Sequence, residues 1–186
     1  MGIDRGVRRA VFLDRDGVIN RAIVRDGKPY PPADADHVEI LPGATAALQQ
    51  LKAAGYLLIV VTNQPDVARG TQSRAAVEAI HARLASALPI DDFRACYHDD
   101  GDGCGCRKPK PGLMLDAARE HGIDLGASVV VGDRWRDIEA GRRAGCHTVF
   151  VDYGYAEPKP EKPDLVVASL TEALSWIVSD REGRHS

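Results

Sequence analysis

The sequence predicts one α/β domain: a Rossmann-like, doubly wound parallel sheet with helices on both faces, no large cap domain and one metal-bound loop. Short, continuous apolar runs, Ala10–Leu13 (AVFL), Tyr56–Val61 (YLLIVV) and Ser128–Val131 (SVVV), alternate with stretches of helical periodicity. That is the pattern of strands buried on both faces. Each run empties into polar residues, namely Asp14 and Asp16, Thr62 and Asn63, and Asp133. In a parallel sheet these ends share the edge where ligands bind. Finally, Cys96, His98, Cys104 and Cys106 crowd into one short loop.

Taken in order, Ala10–Leu13 is the first strand, and the Asp14-x-Asp16-Gly17 that follows lets the chain turn while both carboxyls stay near one point. Residues 21–41 hold Pro29, Pro31, Pro32 and several charges. They are too few for a separate domain and read as a flap over the site. Pro42-Gly43 opens a helix with Ala44, Ala47, Leu48 and Leu51 on one face, and Gly55 terminates it. Tyr56–Val61 is the second strand. A helix from about Ser73 carries Val77, Ile80, Leu84 and Leu88, and a weaker strand spans Arg94–Tyr97. Leu113, Met114, Ala117 and Ala118 mark a helix stopped by Gly122, and Ser128–Val131 is the next strand. Ile138–Ala144 is a short helix closed by Gly145, and His147–Val151 and Leu165–Ala168 complete the sheet. Ser169 with Glu172 fits a capping box for a last helix holding Leu174, Trp176 and Ile177. The packed core spans about 9–178 of a single domain, and 181–186 reads as a flexible tail.

With 186 residues the chain can bury a real core, and 27% charged against 44% hydrophobic residues is an ordinary globular balance. A net charge of −3 gives no general basic field, so nucleic acid and anionic membrane are not expected partners. The start, MGIDRGVRRA, lacks the apolar stretch of a signal peptide, and Gly6 breaks the myristoylation pattern. No apolar run is long enough to span a bilayer. The expected location is the cytoplasm and the expected state a monomer.

The carboxylate trio Asp14, Asp16 and Asp133 can hold Mg²⁺, with waters and a substrate phosphate completing the coordination. Thr62 and Asn63 offer uncharged donors for phosphate oxygens, and Asp137, four residues after Asp133, is a possible support. Cys96-x-His98-x5-Cys104-x-Cys106 supplies three thiols and one imidazole, a closed tetrahedral zinc set whose role is structural. Zinc there would order a Gly- and Asp-rich loop and fix Arg107 and Lys108 at the mouth of the site. Cys146 reads as a small buried hydrophobe.

DRDG at 14–17, TN at 62–63, RKP at 107–109 and GDRxxD at 132–137 resemble the four motifs of the haloacid dehalogenase superfamily of phosphatases. The resemblance runs from about Ala10 to Val151. It implies Asp14 as nucleophile and Asp16 as general acid/base. Mg²⁺ would be bound by Asp14, the Asp16 backbone carbonyl and Asp133, and the transferring phosphoryl group held by Thr62 and Lys108. The zinc set narrows the resemblance to enzymes acting on a heptose bisphosphate or on histidinol phosphate. Gln64 with Arg69 favours the heptose group, although Pro65-Asp66 departs from its usual Ser-Gly. A second phosphate would be read at the rim, by Arg107 first and by Gln64, Arg69 and Arg134 after it. A reading from another class makes the chain a non-catalytic, zinc-stabilised binding module for a phosphate ligand. Against it stands Asp16, whose acid/base role binding alone would not require.

Overall fold

The computed structural model describes residues 7–179. β1 (Arg9–Leu13) lies at the centre of a six-stranded sheet ordered β5-β4-β1-β6-β7-β8, completed by β4 (Tyr56–Asn63), β5 (Asp92–Cys96), β6 (Val129–Gly132), β7 (His147–Val151) and β8 (Leu165–Val167). Every pairing in it is parallel. From β1 the chain winds outward through β4 and β5, then returns to the other side of β1 for β6, β7 and β8. The order therefore switches between β1 and β6, and a crevice opens beyond the strand ends there.

Alternation along β1 divides the interior. Val11 and Leu13 face a core with Leu48 and Leu51 of α1 (Ala44–Ala53), Ile80 and Leu84 of α2 (Arg74–Ala87), and Ala173 and Ile177 of α5 (Leu170–Ser179). Ala10 and Phe12 face the other core, with Met114 and Ala117 of α3 (Gly112–His121) and Ala140 and Ala144 of α4 (Trp135–Ala144). Helices reached by leftward and rightward crossovers thus lie on opposite faces, as right-handed connections require. The burial of Ala44, Ala47, Leu48 and Leu51 in α1 matches the expected face.

Three local details differ from the sequence reading. The 21–41 flap contains a hairpin, β2 (Ile23–Arg25) and β3 (Lys28–Tyr30), and a single 3₁₀ turn at Ala35–His37. Its Asp26-Gly27 turn has φ of 49° and 71°, the left-handed geometry that Asp-Gly suits. At α5 half of the expected capping box forms: Ser169 Oγ accepts from the Glu172 amide at 3.4 Å, while the Glu172 carboxylate accepts from the Ala168 amide at 2.9 Å rather than from that of Ser169. The 181–186 tail lies outside the described residues. Among the described residues no cap domain is inserted, and no helix is long and apolar enough to cross a membrane.

Candidate active site

The ends of β1, β4 and β6 meet at a cleft of about 260 Å³. Asp14, Asp16, Thr62, Asn63, Gln64, Lys108 and Asp137 line its floor, and Lys28, Tyr30, Asp66, Arg69, Arg134, Arg136 and Glu157 its rim. Register brings the floor together, because Leu13 pairs with both Val60 and Val131, so the residues after each strand emerge side by side.

Lys108 organises the floor. Its ammonium is buried and donates to Asp14 Oδ1 at 2.8 Å, to the Val61 carbonyl at 2.7 Å and to Asp137 Oδ1 at 2.6 Å. Burial alone would pull Lys108 down, but Asp137 and Asp14 reverse this and hold it above the ordinary lysine value. Burial dominates at Asp14, which rises to about 6 although the Lys108 charge opposes the shift. Asp133 is also raised, by burial first and then by Asp14 and Asp137.

Asp137 is therefore more than a surface helix residue. It is buried, and its Oδ2 accepts from the Arg134 amide at 3.0 Å, closing the first turn of α4. Its approach to β6 needs Gly132, where a Cβ would lie 2.1 Å from that of Asp137. Gly17 serves Asp133 in the same way: at φ +89° it leaves room for Asp133 Oδ2, which a Cβ would meet at 2.0 Å.

Carboxylate oxygens of Asp14, Asp133 and Asp137 lie within 4.8 Å of one another. Asp133 Oδ2 accepts from the Tyr155 hydroxyl at 2.9 Å, whereas Oδ1 is buried without a partner. Crowded carboxylates, two of them pushed up in pKa, and one orphaned oxygen are the donor set a small divalent cation satisfies. The residues fit Mg²⁺.

The Asp16 carboxylate, expected in the cation-binding trio, is not in this cluster, where Asp137 stands instead: Asp16 faces the cleft with both oxygens occupied. Arg15 grips it twice, Nε to Oδ1 at 3.1 Å and Nη2 to Oδ2 at 3.0 Å. Asn20 Nδ2 adds 2.9 Å to Oδ1, and Gln64 Nε2 adds 3.0 Å to Oδ2. Gln64 also donates to Thr62 Oγ1 at 2.8 Å. Asn63 faces inward instead, its amide bonded to the Lys108 backbone in both directions at 3.0 and 3.1 Å. Here it positions Lys108, and one N–H of its amide remains for a phosphate oxygen.

The rim arginines are braced by acids. Arg69 is held by both oxygens of Asp99 at 2.8 and 2.6 Å, and Arg134 by Glu157. Arg107 departs from its expected place. Its Nε donates to Asp100 at 2.8 Å, and it lines a neighbouring recess of about 140 Å³ rather than the cleft. The reason is electrostatic: the acidic loop the cysteines organise supplies Asp100, which captures the guanidinium before it reaches the rim. Arg136, which the sequence reading did not single out, occupies the rim, and its Nη1 shares Asp100 Oδ1 at 3.0 Å. Arg15, Asn20 and Tyr155 were also missed. DRDG and the following Asn20 held a signal for two of them, because an arginine between two site carboxylates is placed to pair with one.

The Cys/His cluster closes as expected. Cys96 Sγ is 3.7 Å from Cys104 Sγ and 3.1 Å from Cys106 Sγ, and His98 Nδ1 is 3.5 and 3.4 Å from Cys96 and Cys106. A tetrahedron with Zn–S of about 2.3 Å has sulfur edges near 3.8 Å and sulfur–nitrogen edges near 3.6 Å. The Cys96–Cys104 edge and both sulfur–nitrogen edges match that tetrahedron, the Cys96–Cys106 edge is shorter than it, and the donor set of three thiols and one imidazole suits zinc. Cys146 is a buried free thiol apart from it.

Comparison with known proteins places this geometry in context. A family model described as HAD-hydrolase-like matches residues 105–173. The chain is 39% identical over 185 residues to a D-glycero-beta-D-manno-heptose-1,7-bisphosphate 7-phosphatase of Pasteurella multocida, covering 92% of this chain and 97% of that protein. It is 44% identical over 140 residues to the D-glycero-alpha-D-manno-heptose-1,7-bisphosphate 7-phosphatase of Mycobacterium bovis, covering 72% of each. Among solved structures, the D,D-heptose 1,7-bisphosphate phosphatase of B. bronchiseptica, complexed with magnesium and phosphate, superposes with a TM-score of 0.75 at 31% identity. That match covers 94% of this chain and 99% of the other.

Proposed function

The chain belongs to the haloacid dehalogenase-like hydrolases and is a phosphoric monoester hydrolase, and from that premise we propose that it removes the 7-phosphate of D-glycero-D-manno-heptose 1,7-bisphosphate. The observation that carries the chemistry is Asp14, buried at the end of β1 with the Lys108 ammonium 2.8 Å from its carboxylate. Asp14 attacks phosphorus and forms an aspartyl-phosphate as the sugar oxygen leaves. Asp16 gives that oxygen a proton, then takes one from the water that hydrolyses the acyl phosphate. Asp14, the Asp16 carbonyl and Asp133 would hold Mg²⁺, which would supply positive charge against the developing negative charge. A carboxylate approaching a phosphate meets repulsion of about 4 kcal/mol per unit-charge pair at about 4 Å and an effective dielectric of about 20. Lys108 offsets part of this. Its three donors are directed at Asp14, Asp137 and Val61, so contact with a phosphoryl oxygen replaces the Asp14 bond. Thr62 lies within reach on the same floor.

The rim supports a bisphosphate over histidinol phosphate. Lys28, Arg69, Arg134 and Arg136 present guanidinium and ammonium donors to the cleft from the rim, which suits a second phosphate better than the ammonium of histidinol. Arg107 then acts from behind, through the Asp100 carboxylate it shares with Arg136. Cys96, His98, Cys104 and Cys106 would hold one structural zinc that keeps Asp99 and Asp100 in place. The location consistent with such a substrate is the cytoplasm.

The test is a Mg²⁺-dependent assay on both anomers of the bisphosphate, histidinol phosphate and p-nitrophenyl phosphate. The bisphosphate should show the highest kcat/KM. A preference for histidinol phosphate overturns the substrate, and absence of any Mg²⁺-dependent turnover overturns the chemistry.

A further inference from the structure

Arg15 is among the largest fully buried side chains in the protein, with no exposure at all, and the reaction as described does not use it. Two of its three guanidinium nitrogens grip the oxygens of Asp16. The third, Nη1, lies 3.2 Å from Nε2 of His81 on α2. His81 in turn stacks on Phe93 of β5, ring centroids 4.9 Å apart and planes at 24°. The imidazole is thus wedged between helix and sheet, and burial first, then the Arg15 charge, pushes it down to about 4. It stays neutral with Nε2 as acceptor. The result is a rigid chain from Phe93 through His81 and Arg15 to Asp16, with Asn20 and Gln64 closing the two remaining oxygen positions.

Such a buried pair is a poor device for stability, because desolvating a guanidinium costs about as much as the pairing returns. Its geometric effect is large. Four donors leave the Asp16 carboxylate one orientation, at the wall of the cleft where a leaving oxygen must receive its proton. We infer that Arg15 and His81 are positioning residues that aim Asp16, so that an imidazole remote from the substrate governs proton transfer at the leaving oxygen. The proton moves from the Asp16 carboxyl to the departing alkoxide and is regained from the attacking water. Arg15 and His81 exchange none. The inference rests on the reading of Asp16 as general acid/base.

Nitrophenolate leaves without protonation, so the first turnover of p-nitrophenyl phosphate reports attack by Asp14 alone. Steady turnover also needs Asp16 to activate water. Rapid-mixing assays on the full-length Mg²⁺-loaded enzyme should find that Arg15→Lys, which keeps the charge but loses the fork, retains a burst near one equivalent. Its steady-state kcat should fall by about 10–100-fold, the usual cost of a misplaced acid/base group, and KM should fall with it, because slower hydrolysis of the acyl phosphate leaves kcat/KM, which attack by Asp14 sets, unchanged. His81→Leu should move the same way, and His81→Gln, whose amide oxygen can accept from the guanidinium, should restore most of the rate. The histidine variants carry the test alone if Arg15→Lys does not fold. Asp16→Asn, run alongside, should show the deepest steady-state loss. Wild-type turnover by Asp16→Asn would overturn the acid/base reading itself. Loss in Asp16→Asn with wild-type turnover in Arg15→Lys and His81→Leu would overturn this inference, as would loss of the burst together with turnover.

Discussion

Magnesium should stabilise this protein more near neutral pH than in acid, by an amount that the buried acids of the cleft set. Asp14 is raised from 3.8 to about 6, so between those values the folded protein holds a proton that the unfolded chain has released. Stability from this group is therefore lost as pH rises through that window. Going from about pH 5 to about pH 7.5 the loss is about 1.4 kcal/mol for one such carboxyl. Asp133, also raised, acts in the same direction. His81 acts oppositely. It is lowered from 6.5 to about 4, so the unfolded chain takes up a proton that the folded one refuses, and stability is lost as pH falls. Over the same interval His81 alone costs about 2 kcal/mol on acidification. Without magnesium the raised carboxyls and the lowered histidine oppose one another. Bound magnesium keeps the carboxylates ionised in the folded state, and the histidine is left unopposed. Exposed groups such as His37 contribute equally with and without the ion and drop out of the difference. Urea unfolding followed by Trp135 and Trp176 fluorescence gives the numbers, at both pH values, with saturating Mg²⁺ and in magnesium-free buffer. A chelator is avoided because it would also remove a metal held by the Cys/His cluster. The magnesium increment should be larger near pH 7.5 by at least about 1.4 kcal/mol, one carboxyl's worth. An equal increment at both values, or a larger one in acid, refutes the reasoning.

Asp14→Asn should fold and lose Mg²⁺-dependent turnover, because an amide cannot form the acyl phosphate; wild-type turnover by the purified variant would refute this. Cys104→Ser should lose zinc by elemental analysis and lower both melting temperature and activity, since the loop carrying Asp99 and Asp100 is tied through Cys104. Arg136→Ala should cost about 1.5–3 kcal/mol of transition-state binding on the bisphosphate, or about ten- to a hundredfold in kcat/KM, and far less on p-nitrophenyl phosphate. Arg107→Ala should show the same selectivity at smaller size, because it acts through Asp100; equal losses on both substrates would assign these arginines to the transferring phosphate.

Much of the site was legible because its parts sit where periodicity stops. Asp14, Thr62 and Asp133 each follow a continuous apolar run, and parallel strands in register must deliver such residues to one edge. The helical faces were equally readable, since Leu48 and Leu51 or Val77 and Ile80 have nowhere to go but a core. The Cys/His cluster was legible because four such side chains within eleven residues need no distant segment to meet.

What the residue string alone determined, then, is the part governed by local period and short spacing: strand and helix order, the shared edge, the carboxylates and the metal-binding loop. Tertiary structure decided which partner each charge takes. Asn63 bonds the Lys108 backbone 45 residues away, Arg15 reaches His81 across 66, and Tyr155 closes on Asp133 from the loop beyond β7. Arg107 lies outside the cleft for the same reason, since packing sets Asp100 2.8 Å from its Nε. Charges and hydrogen-bond donors are satisfied by whatever lies within about 3 Å in the folded chain, and that proximity is set by packing rather than by position in the sequence.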